Sequence, residues 1–154
     1  VKRIPLTRGK FAIVDDNDFG WLSRFSWCAY QTRSTNTVKF YAGRSKGMFM
    51  HRLIMNPSKD QVIDHINRDS LDNRRSNLRI CTKSKNSMNQ AKTRGVSKYK
   101  GVNWDKYAKA WRASIFFNKR KLNLGNYHDE AEAAKVYNDK AKEVFGQFAL
   151  LNPV

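Results

Sequence analysis

The sequence predicts an α+β protein: a small antiparallel β/helix region, then a strand, loop, strand and helix, then an antiparallel sheet packed on one helix. Three observations carry that prediction. Short apolar runs broken by turn residues recur through the first third of the chain. An apolar run holding an Asp-His pair, Val62-Ile63-Asp64-His65-Ile66, is followed by a polar stretch and a second short run, Asn77 to Cys81. Beyond Asp129, apolar residues return at steps of three and four. The organisation that follows is residues 1–56, 57–96 and 97–154. With 154 residues in all, each part alone has a marginal core, so stability is expected to lean on docking between parts or on a partner.

In chain order, Ile4-Pro5-Leu6 and Phe11 to Val14 flank Thr7-Arg8-Gly9-Lys10, a hairpin connection in which the glycine supplies positive φ. Asp15 to Asp18 then start a short helix, with Phe19, Leu22 and Phe25 at helical spacing. Two further strands, Trp27 to Tyr30 and Phe40 to Gly43, enclose a polar tip, Arg33 to Thr37. Core packing is the expectation for Trp21, Trp27, Phe40 and Tyr41, with stacking on bases the alternative. The segment Met50 to Met55 carries His51 and Arg52 and is closed by Asn56-Pro57.

In the middle part, Val62 to Ile66 and Asn77 to Cys81 form a hairpin around a polar loop, and Thr82 or Ser84 opens a helix to about Gln90. Gln90 to Ser97 reads as a linker. Ala110 to Phe117 and Lys119 to Gly125 alternate as adjacent antiparallel strands with Asn118 at the turn. Asp129 caps the last helix, Glu130 and Glu132 occupy its first turn, and Gly146 ends it. All the glutamates lie in that helix, so it should back the sheet and leave the sheet's other face basic.

Lys and Arg number 30 against 13 Asp and Glu, a net charge of +17 that calls for a polyanionic partner. No acid lies between Asp72 and Asp105, a gap that holds Arg74, Arg75, Arg79, Lys83, Lys85, Lys92, Arg94, Lys98 and Lys100. Such a ribbon neutralises phosphates without reading sequence; a solvated linker is the alternative. Cys28 and Cys81 cannot build a four-ligand zinc site, and both are expected as small buried residues in a reducing compartment. No apolar run has membrane-spanning length and no signal-peptide pattern occurs, so a cytoplasmic protein without membrane contact is expected.

The chemistry concentrates in the middle part. Asp64 is a hard oxygen donor, His65 is a base that titrates near neutrality, and the Asn86 amide oxygen can complete a weakly charged site for a divalent ion. Asn73 and Asn89 compete locally with Asn77 and Asn86 for their roles. Each asparagine taken singly reads as a turn or capping residue.

The joint pattern Asp64-His65, Asp72-Asn73, Asn77-Leu78-Arg79 and Asn86 resembles the HNH nuclease motif, in the form found in phage and intron-encoded homing endonucleases where the last His is Asn. The resemblance implies a ββα-metal nuclease core. In it His65 is the general base, Asp64 and Asn86 hold one Mg²⁺ or Mn²⁺ per active site, and Asn77 ties the loop to the hairpin. His51 and Arg52 become structural support, with a phosphate clamp the alternative for Arg52. The absence of a closing His favours oxygen-loving ions over transition metals.

Tyr99-Lys100-Gly101-Val102, Trp111 to Ile115, Leu122 to Gly125, Glu132 to Tyr137 and Leu151-Asn152 resemble the plant ethylene-response-factor (Apetala-two) DNA-binding domain. That likeness implies a three-stranded antiparallel sheet laid in the major groove. Lys100, Asn103, Lys109, Trp111, Ser114, Phe116, Lys121 and Asn123 would then face DNA, with a core position the alternative for Trp111 and Phe116. Family arginines are replaced at Asn103, Asp105 and Phe116, so the plant recognition sequence is not transferred.

The two resemblances together imply a site-directed endonuclease of homing type, acting as a monomer on double-stranded DNA without a small-molecule cofactor, in a bacterial host. One catalytic set per chain implies a nick. A non-catalytic transcription or architectural factor with a degenerate motif is the first alternative, and a basic RNA-binding protein the second.

Overall fold

The computed structural model describes residues 1–34, 37–91 and 95–154. They divide into two compact units, Val1–Asn86 and Ser87–Val154, each taken by itself below.

In the first unit β1 (Lys2–Pro5) and β2 (Phe11–Val14) form the expected antiparallel hairpin, closed where the Leu6 amide donates to the Lys10 carbonyl at 2.8 Å. Gly9 takes φ +64° in its turn, as a connection this short requires. Helix α1 (Asp16–Leu22) follows with Asp15 as its N-cap residue. It stops earlier than the spacing of Phe25 suggested, and Phe25 lies beyond it, 38% exposed. The reason is a side chain beyond the helix: the Trp27 indole donates to the Leu22 carbonyl at 2.8 Å, satisfying one of the carbonyls a helix end leaves open and turning the chain away.

Strands β3 (Cys28–Ser34), β4 (Thr37–Arg44) and β5 (Met48–Phe49) make a sheet in that order. The first two run further than expected, so Arg33, Ser34 and Thr37 of the polar tip are strand residues; Thr35 and Asn36 lie outside the described residues. Alternation puts Trp27 and Ala29 inside and Cys28 outside, so of the two cysteines only Cys81 is buried. Helix α2 (Met50–Met55) ends where Asn56 adopts the left-handed conformation, just before Pro57.

Strands β6 (Val62–His65) and β7 (Leu78–Cys81) pair antiparallel, with Asp64 opposite Arg79 and His65 opposite Leu78. Their connecting loop docks on β2: the Ile13 amide donates to Leu71 and the Asn73 amide to Ile13, at 2.9 and 2.7 Å. Ile63 and Leu78 share one apolar core with Ile4, Val14, Leu22 and Met50. Helix α3 (Lys83–Met88) follows β7 directly and contains Asn86.

In the second unit β8 (Val102–Asp105), β9 (Ala110–Phe117) and β10 (Arg120–Tyr127) form a three-stranded antiparallel sheet with β9 in the centre. Asn118 and Lys119, both at positive φ, make the tight turn between β9 and β10. Helix α4 (Glu130–Phe145) covers one face; the Asp129 carboxylate accepts from the Glu132 amide at 3.0 Å, as an N-cap should. Alanines 113, 133 and 134 allow close approach of sheet and helix. Gly101, at φ +80°, lies against the Tyr137 ring, where an added Cβ would fall 2.0 Å from Cδ2. Asn152 clasps the unit, exchanging hydrogen bonds with Asn138 and with the Lys100 backbone at 2.7–3.0 Å. None of the described helices is long and apolar enough to cross a membrane.

Candidate active site

The β6–β7 hairpin places Asp64 and His65 side by side near the end of β6, where the chain leaves the shared core. Asn77 holds the loop at its base. Its Oδ1 accepts from the Asn67 amide at 2.9 Å and its Nδ2 donates to the Asp72 carbonyl at 2.8 Å. The loop is stiffened by side-chain turns, in which Asn67 accepts from the Asp69 amide and Asp69 from the Leu71 amide. Asn73 is fully buried, with its amide donating to Leu71. Of the two asparagines that compete for the tie, Asn77 bridges the loop and the Asn73 side chain hydrogen-bonds to His65.

His65 is 7% exposed. The rings of His51 and Tyr41 lie 5.2 and 6.1 Å from it, and Phe49 stacks on His51 at 5.7 Å and 15°. Burial pushes the His65 imidazole below its ordinary range, against the opposing pull of Asn73 and the carboxylates of Asp64, Asp69 and Asp72. His51 is driven lower, to about 3, by burial first and then by the charges of His65 and Arg52. His51 is therefore a neutral ring at any physiological pH, with its buried Nδ1 lacking a hydrogen-bond partner among the described residues. Arg52 reaches back to the Gln61 carbonyl at 3.4 Å and so ties α2 to the approach of β6. Tyr41, expected in the core with base stacking as the alternative, lies beside His65, and its hydroxyl is raised above the usual value by burial and by Asp64.

The Asp64 carboxylate is 5% exposed, and Oδ2 accepts from Arg79 Nε at 2.8 Å and Nη2 at 2.5 Å. Asn86 stands half-buried on α3, its backbone N–H donating to the Thr82 carbonyl at 3.0 Å. Among the described residues no three His, Cys, Asp or Glu side chains cluster as a metal-ligand set. One carboxylate and one amide are hard oxygen donors too few to enclose an ion. They fit Mg²⁺, which keeps several waters and takes further oxygens from a phosphate.

The basic ribbon is not the open row that the linear sequence suggests. Arg74 pairs with Asp72 at 2.6 Å, and Arg75 forks onto Asp18 at 2.8 Å through both Nε and Nη2. Arg75 holds the Asp18 carboxyl below its usual range, and Arg74 does the same for Asp72. With Arg79 on Asp64, three arginines expected on phosphate are engaged by carboxylates, two of which the fold brings from distant sequence. Lys83 and Lys98 are exposed, and Lys92 and Arg94 lie outside the described residues.

In the second unit the positions named for DNA separate by strand alternation. Trp111 shares a side of β9 with Ala113 and Ile115, packs against the helix-facing core and meets Trp104 edge-on at 5.1 Å. It takes the core alternative, because odd positions of β9 turn toward α4. Phe116 lies on the other face, 67% exposed, so the core alternative fails for it. Asn103, Ser114 and Lys121 line an open groove of about 390 Å³ on that face, together with Lys106, Tyr107 and Arg112. Lys109 and Asn123 are exposed, while the Lys100 ammonium donates to the Met88 carbonyl at 2.5 Å. Arg112 went unnamed in the sequence, although its alternation with Ser114 and Phe116 was there to be read.

A hairpin bearing Asp64 and His65, a loop held by Asn77 and a helix carrying Asn86 make a ββα unit. Residues 56–88 match the family model described as HNH endonuclease. The chain is 30% identical over 151 residues, covering 96% of itself and 77% of the relative, to an uncharacterized HNH endonuclease of Acanthamoeba polyphaga mimivirus. It is also 29% identical over 92 residues to Protein 3.8 of Escherichia phage T7, covering 59% of this chain and 75% of that protein. The chain belongs to the HNH endonuclease family, whose members are nucleases that act on DNA.

Proposed function

We propose that the protein is a site-directed DNA endonuclease of homing type that hydrolyses one strand of duplex DNA. The observation that carries this reading is the hairpin itself, with Asp64 and His65 adjacent on β6, Asn77 bracing the loop, and Asn86 on the helix that follows. His65 takes the proton from the attacking water. Its depressed pKa keeps the imidazole neutral, and so able to accept, through the neutral range. Asp64 and Asn86 would hold one Mg²⁺ or Mn²⁺, which would supply positive charge beside the scissile phosphate. Asn77 keeps the loop from shifting His65, and the His51 ring fixes the plane against which His65 packs. The C-terminal sheet, of the ethylene-response-factor kind, would hold duplex DNA on the face away from α4, leaving the product with a 5′-phosphate and a 3′-hydroxyl. Catalysis by one chain on one strand, as a monomer, is the corresponding assembly.

A second reading, a DNA-binding factor that leaves its target intact, is favoured by two observations: His65 is 7% exposed, and Asp64 is shared with Arg79. Incubating supercoiled plasmid with the protein and Mg²⁺ separates the two. Open circles that depend on the ion support hydrolysis; plasmid that is bound, shifted and still supercoiled supports the factor. Competition between duplex DNA and structured RNA tests the RNA alternative in the same preparation.

A further inference from the structure

The groove on the open face of the C-terminal sheet contains an arrangement that charge alone does not account for. The groove is basic, lined by Lys106, Arg112 and Lys121, yet Asp105, at the end of β8, lines it too. An unpaired carboxylate there would repel a phosphate backbone. Asp105 is instead fixed on both sides. Its Oδ1 accepts from the Tyr107 and Ala108 amides at 2.9 and 3.1 Å, and Oδ2 pairs with Arg112 Nη2. On the other flank, Arg112 Nε donates to Asn126 Oδ1 at 3.1 Å. Arg112 sits on the central strand, across from Asn103 on β8 and Asn126 on β10. The guanidinium is thus clamped through Nε and Nη2.

A surface ion pair of this kind adds little to stability, and Arg112 keeps 41% of its side chain exposed. What the clamp does is to hold a flat, forked donor in one orientation, pointing out of a sheet face. A phosphate needs only a nearby charge, which the lysines supply. A base edge needs a donor pair held at fixed angles, and the commonest such contact is Arg on the O6 and N7 of guanine.

We propose that Arg112 reads a guanine in the major groove, and that Asp105 and Asn126 are positioning residues that aim its guanidinium. The proposal rests on the reading that this sheet holds duplex DNA. It assigns sequence discrimination to a residue that the resemblance to plant domains did not single out.

The test is selection of the full chain on a pool of random duplex DNA in EDTA, so that nothing is cut, followed by binding titrations on the recovered site. The expected result for the parent is a recovered site with an invariant guanine. Replacing it by 7-deazaguanine, which lacks the N7 acceptor, should weaken binding about ten-fold. Arg112→Lys, which keeps the charge, should lose the preference at that one position and become indifferent to 7-deazaguanine. Asp105→Asn should blur the same position while leaving the others sharp. If Arg112→Lys recovers the same guanine with the same strength, the proposal is overturned and the DNA-holding role stands. If no guanine substitution in the parent's site weakens binding, it is overturned without reference to any variant. If the parent recovers no site and prefers structured RNA to duplex, both the proposal and the reading beneath it fall.

Discussion

His51 gives the most quantitative test of how the nuclease hairpin is supported. Its imidazole, ordinarily titrating at 6.5, is held down to about 3 by burial, so the folded chain refuses a proton that the unfolded chain accepts. The sign follows from linkage: as pH falls through 6.5, the unfolded state binds the proton first, and stability declines until the folded value is reached. Each pH unit in that window removes about 1.4 kcal/mol. From neutrality to about pH 4.5, His51 alone therefore removes roughly 2 to 3 kcal/mol. His65 is displaced in the same direction and adds to the slope. Asp18 and Asp72 do not enter, because their carboxyls are lowered from 3.8 and their contribution is lost only at still lower pH. Urea unfolding followed by tryptophan fluorescence at several pH values measures the slope, and His51→Gln removes one titrating ring. The variant's slope should be shallower by about one proton. Identical slopes for parent and His51→Gln would refute the reasoning, whatever the variant's stability at pH 7.

Asn77→Ala strands the Asn67 amide and the Asp72 carbonyl, and a loss of roughly 2 to 4 kcal/mol in the same unfolding experiment is expected; a loss below about 0.5 kcal/mol would show the loop held by something else. Gly101→Ala forces a Cβ into the Tyr137 ring at a φ that alanine disfavours, so thermal unfolding of the C-terminal unit should be lowered by roughly 3 kcal/mol, and an unchanged melt would contradict the packing. Arg79→Ala removes the guanidinium that shares the Asp64 carboxylate. Calorimetric titration with Mn²⁺ should then show tighter binding than in the parent; unchanged or weaker binding would mean that cation and arginine do not compete.

Elements whose cause is local were legible in the sequence. The β1–β2 hairpin, the Asn118 turn, the Asp129 cap and the stop at Asn56-Pro57 all depend on a few adjacent residues, and each stands where those residues place it. The tying role of Asn77 came from the resemblance to the HNH motif, and its amide does bond to groups on both sides of the loop. What the sequence hid was set by distant partners. The end of α1 depends on an indole five residues on, and the pairing of Arg75 depends on Asp18 arriving from another element. An acid-free stretch of sequence is thus no guide to free positive charge in space. Trp111 illustrates a different loss: an aromatic on a two-faced sheet reads equally as core or as contact until the register fixes which parity faces the helix. The Tyr41 and His51 rings around His65 come from β4 and α2, with no spacing rule to connect them.

The central claim is that His65 activates water on a hairpin braced independently of it. Supercoiled plasmid carrying the selected site, incubated with Mg²⁺ and either the parent or His65→Ala, tests it most directly. The account predicts open circles from the parent, and from His65→Ala at least about a hundred-fold slower nicking at nearly unchanged DNA affinity. A variant that nicks as fast as the parent would contradict it.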